Sequence, residues 1–179
     1  IIEPTQLSSS IVSVTDATCF SFTNGSVEVE GLNATPDYTY EWSDGQTGAL
    51  ATGLGAGQYT CTVTDDNGCE IDQPVTIGQP GLLTASGVQD SVTCFNYSDG
   101  GAMLTVTGGT PNYEYLWNNN QQSKDLTNVD AGVYFCTISD SFGCESSPIP
   151  VEVFQPSELI AQISHQNISC FGFNDGSSQ

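Results

Sequence analysis

The sequence predicts an all-β protein: tandem immunoglobulin-like β-sandwich modules of about 76 residues, Pro4 to Pro80, in a linear array. Three observations carry this. Apolar and polar residues alternate with a period of two, turn dipeptides break up the alternating runs, and one set of landmarks recurs along the chain. Helical spacing is nowhere sustained.

The elements follow in order. Pro4 opens the first module, with Leu7 three residues on. The turn dipeptide Asn24-Gly25 tolerates positive φ and leads into the alternating Val27-Glu28-Val29. In Tyr38-Thr39-Tyr40-Glu41-Trp42 the aromatics share one face of a strand, and Asp44-Gly45 marks the next turn. Tyr59-Thr60-Cys61-Thr62-Val63-Thr64 alternates again, and Asn67-Gly68 closes it. Pro80 and Leu83 then restart the series. Cys19, Trp42, Cys61 and Cys69 return as Cys94, Trp117, Cys136 and Cys144, each 75 residues later (94 minus 19, and so on). Tyr113-Glu114-Tyr115-Leu116-Trp117 repeats the aromatic strand with one apolar exception. Pro156 and Leu159 begin a third copy, whose Ser169-Cys170-Phe171-Gly172-Phe173-Asn174-Asp175-Gly176 matches Thr93 to Gly100 before the sequence stops. The expected modules are therefore 4–79 and 80–155, with 156–179 an incomplete third, as in a fragment of a longer protein.

About seven short strands per module, with a turn every 8 to 12 residues, fit an immunoglobulin-like sandwich. Asp130-Ala131-Gly132-Val133-Tyr134-Phe135-Cys136 resembles the signature in which a Tyr forms a corner and a Cys lies on strand F; Gly55 to Cys61 is a weaker copy. Trp42, Trp117, Tyr59 and Tyr134 are thus expected in the core. Trp42 follows Cys19 by 23 residues (42 minus 19), farther than in antibody domains, so the signature speaks for architecture.

Composition sets the function classes. Lys124 is the only basic side chain against 21 Asp plus Glu, for a formal charge of -20. Nucleic acid and anionic lipid are both attracted by Lys and Arg, so neither is an expected partner. Seven cysteines at regular spacing fit an oxidising, extracellular compartment. No signal peptide or membrane-spanning stretch is legible; an export signal or anchor is expected to have been removed or to lie elsewhere.

A closer resemblance covers nearly the whole chain. The motifs run Cys94 to Gly100, Gly108-Gly109-Thr110-Pro111 through Trp117, Ala131-Gly132-Val133-Tyr134, Asp140 to Cys144, and Gln155-Pro156. In this order they resemble the SprB-type repeat of long Bacteroidota surface proteins, among them mobile gliding adhesins exported by the type IX route. The resemblance implies a surface location and an adhesive or scaffold role. This chain departs from the pattern at Cys61 and Cys136, where such repeats more often carry an aliphatic residue. Its first module has Asn33-Ala34 in place of Gly108-Gly109.

Two disulfide arrangements are open. If Cys61 starts strand F on its inward face, it lies at the same end as the loop carrying Cys19, and the preferred pairs are Cys19–Cys61 and Cys94–Cys136. In the other, Cys19 reaches Cys144 of the next module, with Cys61 and Cys136 left as buried thiols. The resemblance implies the second, because the first and third cysteines, such as Cys69 and Cys170 by position, are the regular ones in the family.

Catalytic chemistry is poorly supplied. His165 is the only His and has no counterpart in the earlier modules, so it reads as a surface residue, and no enzyme is expected. Calcium is the one cofactor considered, through Asp65, Asp66, Asp99, Asp140 and Asp175. Only Asp65 and Asp140 recur at one site, and a turn-capping role is preferred for them. The aromatic pairs Phe20/Phe22, Phe95/Tyr97 and Phe171/Phe173 read as packing against the sandwich end or the neighbouring module, with a sugar platform as the alternative. Asn24, Asn33, Asn96 and Asn167 begin N-glycosylation sequons, and Asp90-Ser91-Val92 resembles a Bacteroidota O-glycosylation motif at Ser91. Expected partners are neighbouring repeats, other copies in a fibre, and an external surface or polysaccharide. A stalk is the leading reading; repeats accessory to a secreted enzyme are another.

Overall fold

The computed structural model describes residues 5–167, 170–172, 174 and 176–178. Pro4, Phe173 and Asp175 lie outside this set.

The first six strands are β1 (Ser8–Thr15), β2 (Gly25–Leu32), β3 (Thr39–Trp42), β4 (Leu50–Leu54), β5 (Gly57–Thr64) and β6 (Glu70–Ile77). They form two antiparallel sheets, ordered β1-β2-β4 and β3-β5-β6. The alternation in the sequence becomes inside and outside. Val27 and Val29 of β2 are buried, while Glu28 and Glu30 between and after them face solvent. Opposite them, Trp42, Cys61, Val63, Val75 and Ile77 close one core with Ala51 and Leu54. Each such aliphatic side chain stabilises the sandwich by about 1.5–3 kcal/mol relative to exposure.

The second module repeats the plan with β7 (Thr84–Asp90), β8 (Gly100–Thr107), β9 (Glu114–Trp117), β10 (Leu126–Val129), β11 (Gly132–Ser139) and β12 (Ile149–Val153). Its sheets are β7-β8-β10 and β9-β11-β12. They enclose Leu83, Val92, Ala102, Leu104, Trp117, Leu126, Cys136, Ile138 and neighbouring side chains. A short antiparallel pair, β13 (His165–Gln166) with β14 (Ser177–Ser178), follows. There Leu159 is 95% exposed, whereas its counterparts Leu7 and Leu83 are 7% and 4% exposed.

Each module is thus an immunoglobulin-like sandwich of six strands, one fewer than expected. The third strand passes to the fourth through residues 43–49, or 118–125 in module two, too short a path for an extra strand. One side chain stands in for it: Gln46 bonds the backbone of Thr52 through both ends of its amide (3.0 and 3.1 Å), and Gln121 does the same to Thr127.

Of the four signature aromatics the two Trp lie in the core, and the two Tyr pack against it without being buried. Trp42 and Trp117 are buried, and their indole N–H groups donate to Gly48 (2.9 Å) and Ser123 (3.0 Å) carbonyls. Tyr59 and Tyr134 are half-buried, and each hydroxyl donates to the carbonyl four residues upstream, Gly55 at 3.2 Å and Asp130 at 3.0 Å. This is the tyrosine corner.

Candidate functional site

The site is the junction between the modules, and it is built from two short loops. The first, between β1 and β2, carries Cys19. Its base is tied to the end of β6: Ala17 N–H donates to Gly78 carbonyl (3.0 Å), and Gly78 N–H to the Asp16 carboxylate (2.7 Å). Its tip is closed by Asn24, whose side chain accepts from Thr18 N–H (3.0 Å) and donates to the Thr18 hydroxyl (2.7 Å). Phe22 N–H donates to Cys19 carbonyl (3.1 Å), and Ser21, at φ 62°, gives its N–H to Gln79 (2.7 Å). The closing Gln of the module thereby holds the cysteine loop.

The second loop joins β11 to β12 and carries Cys144. Asp140 organises it. One carboxylate oxygen accepts from Phe142 and Cys144 N–H, both at 2.9 Å, and the other from Thr110 N–H at 2.8 Å in the β8–β9 loop. Burial works to raise the Asp140 pKa, yet the backbone donors of Thr110, Cys144 and Phe142 together hold it below the ordinary 3.8. Beside it, Gly108 lies at φ +74°, where a Cβ would meet Leu82 carbonyl oxygen at 1.9 Å. No side chain fits there.

The two loops meet. Cys19 and Cys144 form a disulfide, their Cα atoms 5.7 Å apart across a sequence separation of 125. Around it, Phe20 and Phe22 of module one line a cavity with Pro80, Leu82 and Leu83 of module two.

This corrects the preferred pairing. Cys61 is not bonded to Cys19, nor Cys136 to Cys94; Cys61 and Cys136 are free, buried thiols and Cys94 is a free, exposed one. The reason is where strand F begins. β5 starts at Gly57, so Cys61 lies in mid-strand opposite Trp42, not at the end near Cys19. Cys61 faces inward, as the alternation predicts, but at mid-height of the strand. Across the core, β2 offers Val27 and Val29, so no second thiol faces Cys61. Burial, with a smaller effect of the Asp72 charge, pushes its pKa up to about 11; burial likewise raises that of Cys136.

Asp65 is the counterpart of Asp140, accepting from Asn67 (3.0 Å) and Cys69 (2.8 Å) N–H. In each carboxylate Oδ1 accepts two backbone N–H groups, the pattern of a turn-capping Asp, and in Asp140 Oδ2 accepts a third. Asp66 is exposed, and the Asp99 carboxylate accepts from the Thr93 hydroxyl and N–H, bonds that lower its pKa. Among the described residues no three His, Cys, Asp or Glu side chains gather as a metal site. The glycan candidates Asn24, Asn33, Asn96, Asn167 and Ser91 are all exposed, although the Asn24 and Asn33 amides donate to Thr18 and Ser8. Tyr97 and Phe171 are exposed, Phe95 is half-buried, and His165 is exposed on β13.

Residues 11–47 and 86–122 match a single family profile. That profile describes the SprB repeat, to which both stretches are similar. Each SprB repeat match begins within the first strand of a module and ends in the turn after the third, so it includes Cys19 or Cys94 and leaves Cys69 and Cys144 outside. Among solved structures, a C-terminal 282-residue fragment of intimin, in complex with the intimin-binding domain of the translocated intimin receptor, is similar at 11% identity and TM-score 0.43. The match covers 81% of this chain and 64% of that one. An amphioxus IgVJ-C2 molecule is similar at 14% identity and TM-score 0.35, covering 76% of this chain and 98% of that one. Dpr11 IG1 bound to DIP-gamma IG+IG2 is similar at 12% identity and TM-score 0.33, with coverage of 83% and 100%. No curated protein matches the chain.

Proposed function

We propose that this chain is a section of an extracellular stalk on a bacterial cell surface, a non-catalytic spacer whose modules are covalently locked in series. One observation carries the reading: the Cys19–Cys144 disulfide joins two complete sandwiches. A bond within a module stabilises that module alone, whereas a bond across the junction fixes one module against the next. Such structural bonds form and persist in oxidising compartments and are rare where thiols are kept reduced. Its loops come from successive modules, each carrying a stretch similar to the SprB repeat, and the SprB-type resemblance, with its long surface proteins and type IX export, supports the location. Phe20 and Phe22 border the junction cavity with Pro80 and Leu82 and stay 43% and 53% exposed, so they mark the junction without being buried in it. A surface rich in carboxylate, with one Lys, would keep neighbouring stalks apart by repulsion.

Immunogold labelling of intact source cells with antibody against the chain tests this. Label displaced outward from the cell envelope is the expected result, and label confined to lysed cells refutes it.

A further inference from the structure

We infer that Cys69 and Cys94 are the unused halves of two further staples of the Cys19–Cys144 kind, each built to receive one more module of the same repeat. The inference rests on the stalk reading and names the partner of its ends.

Cys94 stands in a copy of the Cys19 loop. Thr93 N–H donates to Asp99 (3.0 Å) as Thr18 N–H does to Asn24, and Tyr97 N–H donates to Cys94 carbonyl (3.1 Å) as Phe22 N–H does to Cys19 carbonyl. Asn96, at φ 61°, gives its N–H to Gln155 (3.2 Å), as Ser21 at φ 62° does to Gln79. The Cys94 loop is therefore already in the bonded conformation of Cys19, yet the thiol is free and exposed.

Cys69 stands in a copy of the Cys144 turn. Asp65 N–H donates to Cys69 carbonyl at 3.0 Å, as Asp140 N–H does to Cys144, and Gly68 and Gly143 both take positive φ, 78° and 75°. Cys69 too is free and exposed. It opens on a groove lined by Leu7, Ala34, Asp65 and Glu70. At the junction the equivalent positions include Leu83, Gly109 and Glu145, and there the space is bordered by Cys19, Phe20 and Phe22 of the preceding module. The groove at Cys69 thus has the form of the junction without its first half.

The covalent step needs an oxidant, a small-molecule or protein disulfide. One thiolate attacks that disulfide, releasing one thiol and leaving a mixed disulfide. The partner thiolate then displaces the second thiol. Two protein thiols lose two electrons and two protons, and one donor disulfide becomes two thiols.

Two extended chains test the inference. In one, a copy of residues 1–79 carrying Cys69→Ser replaces residues 1–3, so that a whole module precedes Cys69. In the other, a copy of residues 104–155 is added after Gln179, completing the third repeat. Each is oxidised with glutathione disulfide, alkylated, cut with an Asp/Glu-specific protease and mapped without reduction. The expected results are Cys69 linked to a Cys19 peptide in the first, and Cys94 linked to a Cys144 peptide in the second. The original Cys19–Cys144 bond reports oxidation in every molecule. With that bond intact, Cys69 or Cys94 recovered as an alkylated thiol, or the two linked to each other between chains, overturns the inference. Cell labelling reports location alone, so either reading can fail without the other.

Discussion

Pulling the chain by its two ends gives the most direct view of what the junction does. Force entering at the N-terminus reaches Cys19, crosses to Cys144 through the disulfide and leaves toward the C-terminus. The 125 residues of intervening separation, which include all of β2 through β11, carry no load while the bond is intact. Perturbing the bond, by a phosphine reductant or by Cys144→Ser, puts that length back into the path. At roughly 3.5 Å per extended residue the gain in contour length is about 430 Å, after the few ångströms already spanned. Single-molecule optical tweezers with a handle on each terminus read this directly. The oxidised chain should extend only through Ile1–Cys19 and Cys144–Gln179, and the reduced chain through its whole length. Equal extension before and after reduction would refute the reasoning. The closed loop also contributes about 5 kcal/mol to the linked pair in the chain-entropy treatment.

Other outcomes follow from the two loops and the buried thiols. Asp140→Ala should cost about 1 kcal/mol more than Asp65→Ala in urea melts, because only Asp140 also accepts from Thr110 N–H, and equal losses would contradict the capping assignment. Since the folded Asp140 pKa lies below 3.8, its contribution is complete above that pH and is lost as pH falls through the depressed value. The stability gap between wild type and Asp140→Asn should therefore shrink on acidification below about pH 4, and a gap that widens would be the wrong sign. In native protein at pH 8, iodoacetamide should modify Cys69, Cys94 and Cys170 and spare Cys61 and Cys136 until the chain unfolds, as read by mass spectrometry. A calcium chelator should leave the melting temperature unchanged, since Oδ1 of Asp65 and of Asp140 each caps its turn through two backbone N–H groups without a metal; a large drop would restore the metal reading.

What the sequence determined by itself is which way side chains point along a strand and that one pattern repeats along the chain. The alternation Val27-Glu28-Val29 specifies an inward face because neighbouring side chains on a strand point to opposite sides. The 75-residue step of Cys19 to Cys94 and Trp42 to Trp117 predicts two like sandwiches, since equivalent patterns bury equivalent faces. The Tyr59 and Tyr134 corners were legible for the same local reason: their partners lie four residues away. Only the tertiary structure decided which cysteines bond. Cys19 and Cys61 are near in sequence and share a module, yet the start of β5 at Gly57 sets Cys61 in mid-core, away from the loop. Cys19 and Cys144 are 125 residues apart and meet at 5.7 Å because the end of one sandwich docks on the start of the next. Periodicity specifies which way a side chain points. It carries no record of how far along its strand that side chain lies, nor of how one module sits on another, and the pairing depends on both.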